Sequence, residues 1–229
     1  MVNRAGRALA DKGAGVLDLT DPRSADLAGI VDLWRQAHAE PMAWVAAEVT
    51  KRAAAEAPNH AVADRLKRMP QIVKKLARLE RMKLARMQDV GGCRVVVPSL
   101  EDAHRVEQRI VKPAKRGWPL RYRHDHRQEG KPHTGYRALH LIVERGGCLI
   151  EIQLRTLREH RWSEAVEHVT ALSDHNVKDG DAPGEIMEYF RLASDGFWLL
   201  DLGRTVSKRH RARCRGLHRK VQGYLGGTT

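Results

Sequence analysis

Residues 136–155 read YRALHLIVERGGCLIEIQLR. Side chains on a strand point alternately to its two faces, and this stretch alternates on both sides of Gly146-Gly147. Leu149, Glu151 and Gln153 share one face of the second half, while Ile150, Ile152 and Leu154 share the other. The two glycines mark a hairpin turn. The spacing therefore predicts two paired strands whose apolar face meets a core. The opposite face presents a carboxylate beside an amide. Tyr136, Ala138 and His140 share a face of the first strand by the same rule. Pairing would line one concave surface with a tyrosine, a histidine, an acid and an amide. A solvated sheet face is the plain alternative.

The stretch RMQDVGGCRVVV, residues 86–97, adds a second strand signal over 93–97. Asp89 stands at its entrance and Arg94 on one of its faces, and a purely structural strand needs neither charge. Two carboxylates from neighbouring strands, Asp89 and Glu151, suit Mg²⁺, which takes few protein carboxylates and completes its octahedron with water and phosphate oxygens. Upstream, RLKRMPQIVKK supplies Arg65, Lys67 and Lys75. With Arg94 these can neutralise a polyphosphate, the arrangement phosphoryl-type transfer requires. Taken singly, the lysines fit an exposed helix face equally well.

Working outward, TDPRSADLAGIVDLW starts a helix that Asp21 can cap, with Pro22 in its first turn, and helical sequence continues to about Ala57. Residues 1–19 read as a loose segment. MPQIVKKLARLERMKLARM reads as one helix, and Ser99 and Asp102 have the spacing of a capping box. Leu120 to Arg127 reads as an edge strand. TLREHRWSEAVEHVTAL and GEIMEYFRLASDGFWLLDL are helical. Trp34, Trp44 and Trp198 are expected in the core. The order of elements predicts an α+β domain: a mixed, largely antiparallel sheet flanked by helices, with helical extensions at both ends. The expected division is a main α+β unit over 20–203 with its core at 60–175, then a basic tail or helix over 204–229.

Composition bounds the partners. The 229-residue chain carries a formal net charge of +13 and a pI near 10.1, so its surface attracts phosphates. Aromatics make up 5%, too few for a broad base-stacking platform. No run of about 18 apolar residues is present, and MVNRAGRALADKGAG lacks a long apolar segment. A cytoplasmic protein that makes no use of a membrane is expected. Cys93, Cys148 and Cys214 form no CxxC pair, so packed, reduced thiols are expected. His124, His126 and His133 lie in a basic segment with no cysteine at ligand spacing, which disfavours zinc.

RLKRMPQIVKKL, RMQDVGGCRVVV, TGYRALHLIV, IEIQLRT and HRWSEAVEH occur in the order found in the RelA/SpoT-type synthetase domain, and the chain resembles that family over about residues 60–170. The resemblance implies a nucleotidyltransferase-like synthetase fold. It implies transfer of the β,γ-pyrophosphate of ATP to a ribose 3′-hydroxyl, usually to make pppGpp and ppGpp. It implies Mg²⁺ at Asp89 and Glu151, with Glu151 helping to deprotonate the hydroxyl. Arg65 and Arg94 would sandwich adenine, and Lys67 and Lys75 would contact the ATP phosphates. Tyr136 would stack on the acceptor base, with His140, Gln153, Glu167 and Lys131 on the acceptor side. The glycines after Asp89 would let the backbone turn tightly.

Two departures bear on the acceptor. Alarmone makers often carry a lysine four residues before the tyrosine; here that position is Pro132, with Lys131 one step further. Trp162 is followed by Glu167 five residues later rather than four. This spacing looks more like the toxic small alarmone synthetases of toxin–antitoxin and phage-defence operons, some of which pyrophosphorylate the 3′-CCA end of tRNA. The favoured expectation is therefore a tRNA-modifying toxin with an antitoxin partner. GDP or GTP as acceptor stands second, and a non-catalytic basic RNA-binding protein third.

Overall fold

The structure is a computed structural model and describes residues 1–12, 20–112, 118–173, 175, 177 and 180–226. The hairpin forms as its pattern requires, but its first strand begins at Leu139, so Tyr136 and Ala138 lie in the segment before the strand rather than on it. Strands β4 (Leu139–Arg145) and β5 (Cys148–Thr156) pair antiparallel through Arg145 and Cys148. Gly146 and Gly147 turn the chain at φ 57° and 76°, values that L side chains rarely adopt. Around them lie β1 (Ala61–Leu66), β2 (Gly91–Val97) and β3 (Leu120–Asp125), in the sheet order β1-β2-β5-β4-β3. Only the central β2–β5 pair is parallel; the other three pairs are antiparallel. A mixed, largely antiparallel sheet is thus what the chain adopts.

One face of the sheet is sealed. Cys93, Val95, Leu139, Leu141, Ile150, Ile152 and Leu154 pack against α3 (Ala39–Glu56) and α5 (Leu100–Val111). The other face carries the polar partners in each alternation and is bounded by two helical clusters. Helices α1 (Val2–Asp11), α2 (Pro22–Gln36) and α4 (Met69–Arg78) form one, ending at Val90. Helices α6 (Leu157–Leu172), α7 (Gly184–Asp201) and α8 (Lys208–Gly226) form the other, with Tyr136 packed on it.

Several local expectations hold. Asp21 caps α2 by accepting from the Ser24 N–H at 3.1 Å, and Pro22 opens the helix. Ser99 accepts from the Asp102 N–H at 3.1 Å, but its hydroxyl also donates to the Asp102 carboxylate at 2.6 Å. That shorter side chain stays on the serine hydroxyl.

Several readings need correction. Residues 2–11, expected to be loose, form α1: Ala5, Leu9 and Ala10 are buried, and Arg7 donates to the carbonyls of Leu76, Leu79, Glu80 and Met82. Residues 13–19 of that segment lie outside the described residues. The helix expected through Met87 stops at Arg78, and only a 3-10 turn at Leu84–Arg86 follows; the Arg7 guanidinium takes the carbonyls that the broken helix leaves. Strand β1 had no sequence signal, because AVADRL is an edge strand with four exposed positions. Trp34, Trp44 and Trp198 are only partly buried, while Trp118 and Trp162 fill the interior at 0% and 4% exposure.

Gly91 and Gly92 are also not a turn. They open β2, opposite Ile150 and Glu151 of β5, with no positive φ. Their missing side chains serve a close approach: a Cβ on Gly92 would sit 2.9 Å from the Glu151 carbonyl oxygen, and one on Gly91 3.1 Å from Ile150 Cδ1. Backbone cannot yield as a flexible side chain can. Gly92→Ala is expected to destabilise the fold by about 1–3 kcal/mol in urea denaturation. Gly223→Ala, where a new Cβ meets nothing within 4 Å, should leave the midpoint nearly unchanged. Equal midpoints for the two variants would remove the close-packing account of Gly92.

Candidate active site

The parallel register sets Gly92 beside Glu151 and Arg94 beside Gln153, while antiparallel pairing sets His140 beside Gln153. On the other side of β2, Arg65 of β1 lies opposite Gly92. Strand alternation therefore puts Arg65, Arg94, Glu151, Gln153 and His140 on the face away from the α3–α5 core. Asp89 lies just ahead of β2. The two acids are close enough for the Asp89 charge to act on the Glu151 carboxyl.

Each acid has its own partners. Lys67 Nζ lies 2.9 Å from one Asp89 oxygen and Lys75 Nζ 2.8 Å from the other. Lys67 follows β1, where its N–H donates to the Val90 carbonyl at 2.8 Å; Lys75 sits on α4. Burial works to raise the Asp89 carboxyl, but the two lysines outweigh it and hold the pKa below the usual aspartate range. Glu151 accepts from His140 Nδ1 at 2.9 Å and from Gln153 Nε2 at 2.5 Å. These contacts likewise overcome burial and keep its pKa low.

The contacts of Glu151 close into a ring. Arg155 Nη2 lies 2.7 Å from the Tyr136 hydroxyl and 2.9 Å from Gln153 Oε1. The Tyr136 hydroxyl lies 2.7 Å from His140 Nε2. One proton assignment satisfies every member with a neutral imidazole. Arg155 donates to Tyr136, Tyr136 donates to His140, and His140 donates to Glu151; through the other arm, Arg155 donates to Gln153, which donates to Glu151. The orientations of Glu151 and Tyr136 are thus coupled through side chains on β4 and β5.

Sequence reading had not singled out Arg155, although the alternation from Glu151 and Gln153 reaches it in one more step. It is 4% exposed, and its Nε and Nη1 have no partner among the described residues. Arg94 Nε is also unpartnered. Buried guanidinium donors without acceptors are costly, and an anionic or carbonyl-rich ligand would satisfy them.

The remaining expected residues divide. Lys131 Nζ lies 5.1 Å from the centre of the Tyr136 ring. The tight 131–136 turn brings it there: the Lys131 N–H donates to the Tyr136 carbonyl at 2.9 Å, and the Gly135 N–H to the Lys131 carbonyl at 2.8 Å. Partial loss of water around its ammonium lowers the Lys131 pKa, Glu151 raises it, and Lys75 and Arg78 lower it further, so this lysine links the turn electrostatically to Glu151. The step from Pro132 back to Lys131 does not take the cation out of the cleft. Tyr136 packs edge-on against Trp162 and has the Arg155 guanidinium 5.1 Å from its ring centre. Glu167 is exposed on α6, where its charge acts on Arg94 and His160.

Among the described residues no group of three or more His, Cys, Asp or Glu is placed to hold a metal. Asp89 and Glu151 nevertheless fit Mg²⁺. They are ionised oxygen donors at adjacent strands, and Mg²⁺ fills most of its shell with water and phosphate. Among the described residues no helix is long and apolar enough to cross a membrane.

Comparison with known proteins agrees with this geometry. A family model described as the region found in RelA / SpoT proteins matches residues 64–175. The uncharacterized proteins Rv1366 of Mycobacterium tuberculosis and Mb1401 of Mycobacterium bovis are each 28% identical over 156 residues, covering 65% of this chain and 56% of theirs. The chain spans little more than half the length of these curated relatives. Small alarmone synthetase 1 from Bacillus subtilis, bound to its product pppGpp, superposes with a TM-score of 0.60 at 24% identity, over 74% of this chain and 90% of that one. Small alarmone synthetase 2 from the same organism gives 0.58 at 21% identity, over 75% and 92%. These likenesses show the fold. The chain is thus built on the fold of the small alarmone synthetases, and its residues 64–175 are similar to the region found in RelA / SpoT proteins.

Proposed function

We propose that the chain is a Mg²⁺-dependent ATP pyrophosphokinase that transfers the β,γ-pyrophosphate of ATP to a ribose 3′-hydroxyl. What supports this reading is the placing of Glu151 on β5 within charge reach of Asp89, which lies just ahead of the neighbouring β2, with Lys67 and Lys75 on Asp89. A protein that only bound RNA would gain nothing from two partly buried carboxylates, which repel phosphate.

On this reading Arg65 and Arg94 clasp the adenine of ATP, and Lys67 and Lys75 exchange their bonds to Asp89 for bonds to the phosphates. Mg²⁺, held by Asp89 and Glu151, supplies charge neutralisation for the polyphosphate. Tyr136 stacks on the acceptor base, while His140, Gln153, Lys131 and Glu167 line the acceptor side. The new bond joins the ribose 3′-oxygen to the β-phosphorus, the bond from that phosphorus to the α,β-bridging oxygen breaks, and AMP leaves. Glu151 takes the hydroxyl proton; its orientation by His140 and Gln153 matters more than its basicity, since their bonds keep its pKa low.

The favoured acceptor is the 3′-CCA end of tRNA. The net charge of +13 supports it, since phosphate contacts along an RNA add affinity that a free nucleotide cannot collect. The chain would then be the toxin of a toxin–antitoxin or phage-defence pair, restrained by an antitoxin protein and active in the cytoplasm. The second reading takes GDP or GTP as acceptor; the Bacillus subtilis synthetase bound to pppGpp favours it.

Incubation with γ-labelled ATP and either tRNA or GDP separates these readings. Label on tRNA is expected. Label on the guanosine nucleotide alone would establish the second reading, and label on neither would leave a binding protein. Asp89→Ala and Glu151→Ala should each abolish transfer, and any growth arrest on expression, without unfolding the chain. Retained transfer would remove that residue from the site. Tyr136→Ala should lose acceptor use while keeping most ATP binding in a calorimetric titration; equal loss of both would contradict the stacking role.

A further inference from the structure

Helix α8 has two distinct long faces. Its inner face packs on α7 through Leu217 and Val221, both buried, and Arg213 and Lys220 at its margins pair with Glu188 and Glu185 of α7. Lys208, Arg211, Arg215 and Arg219 recur every three or four residues, so they fall in a row on the opposite face. All four are exposed, and among the described residues none of them has an ion-pair partner. The row runs about 16 Å along the helix at 1.5 Å per residue. Ala212 and Gln222, also exposed, lie on that side, and no large apolar side chain interrupts the charges.

The position of this row relative to the cleft follows from α7. Residues 191–196 of α7 touch both the acceptor-side turn and α8. A Cβ on Gly135 would sit 2.9 Å from Arg191 Cα, Ser194 Oγ donates to the Gly135 carbonyl, and Arg137 pairs with Asp195 at 2.8 Å. In the same turns, His210 Nε2 of α8 lies 3.0 Å from the Leu192 carbonyl. The start of α8 is therefore about one helix width, on the order of 10 Å, from the turn that carries Lys131 and Tyr136.

From these observations we infer that the outer face of α8 is a docking surface for the sugar-phosphate backbone of RNA whose 3′ end enters the cleft. Evenly spaced cations without apolar neighbours suit a line of phosphates, which fix register and orientation. They do not suit a protein partner, whose interface would need an apolar or aromatic anchor. The purpose of the surface rests on the RNA-acceptor reading, but its binding is independent of transfer.

The test measures binding of a tRNA transcript with a 3′-deoxy terminus, without ATP, by fluorescence anisotropy across salt concentrations. In the fourfold variant Lys208→Gln, Arg211→Gln, Arg215→Gln, Arg219→Gln, affinity at low salt is expected to fall at least about tenfold. The slope of log K against log salt should become shallower by about 3, the change for four lost phosphate contacts. The pairs K208Q/R211Q and R215Q/R219Q should each give roughly half that change if the fourfold chain folds poorly. Lys51→Gln, on the helix behind the sheet, should leave both quantities unchanged. An unchanged slope in the α8 variants overturns the proposal, as does loss of binding to polyglutamate with RNA binding intact. Transfer to GDP alone, with α8-dependent RNA binding preserved, would sink the acceptor reading and leave the surface standing.

Discussion

The parallel contact between β2 and β5 is the constraint on which the cleft depends. Parallel neighbours cannot be joined by a short turn, so the chain leaves β2 through α5, β3 and β4 before returning as β5. That detour is what brings Asp89 and Glu151 together from distant parts of the sequence. It also explains the glycines. With a 2.9 Å approach awaiting any Cβ on Gly92, the two backbones can lie at this spacing only where that atom is missing. A feature that looks like a flexible turn is instead a packing requirement, placed one residue from the segment carrying the first acid.

Charge balance governs the rest of the site. The cleft is rich in cations, but the groups nearest the acids are committed: two lysines to Asp89, a histidine and an amide to Glu151. Both carboxylates are thereby held ionised despite burial. Among the described residues, the guanidinium groups of Arg94 and Arg155 retain buried donors without acceptors. On the proposed function, a magnesium nucleotide would meet the charged oxygens with its metal ion and the unsatisfied N–H donors with its acceptor atoms. Because Lys131 feels Glu151, Lys75 and Arg78 together, the 131–136 turn, β5 and α4 share one electrostatic environment.

The legible parts of the sequence were those governed by a strict period. The β4–β5 hairpin declared itself through alternation and its glycine pair, and α2 through its Asp21-Pro22 start. The same alternation placed Glu151 and Gln153 on one face and, carried two residues further, would have found Arg155. The α1 helix escaped notice because its buried side is mostly small residues and its polar anchors, Arg7 reaching backbone carbonyls and Asn3 accepting from the Ala85 N–H, are tertiary contacts without sequence periodicity. Strand β1 escaped because only one of its sides is covered. The break after Arg78 was invisible because LARLERMKLARM keeps helical composition, while the carbonyls released there find Arg7 more than 60 residues upstream. Local pattern thus located the acids, and long-range contacts decided what surrounds them.

The central claim is that both acids serve one metal–nucleotide site. Its most direct test is a Mn²⁺ titration by electron paramagnetic resonance in the presence of a non-hydrolysable ATP analogue, on the natural chain, Asp89→Asn, Glu151→Gln and the double variant. One bound ion per chain is expected, weakened at least about tenfold by either substitution, with the double variant little worse than the weaker single one, as residues of one site behave. Full binding in either single variant, or losses that simply add as for two separate sites, would contradict the account.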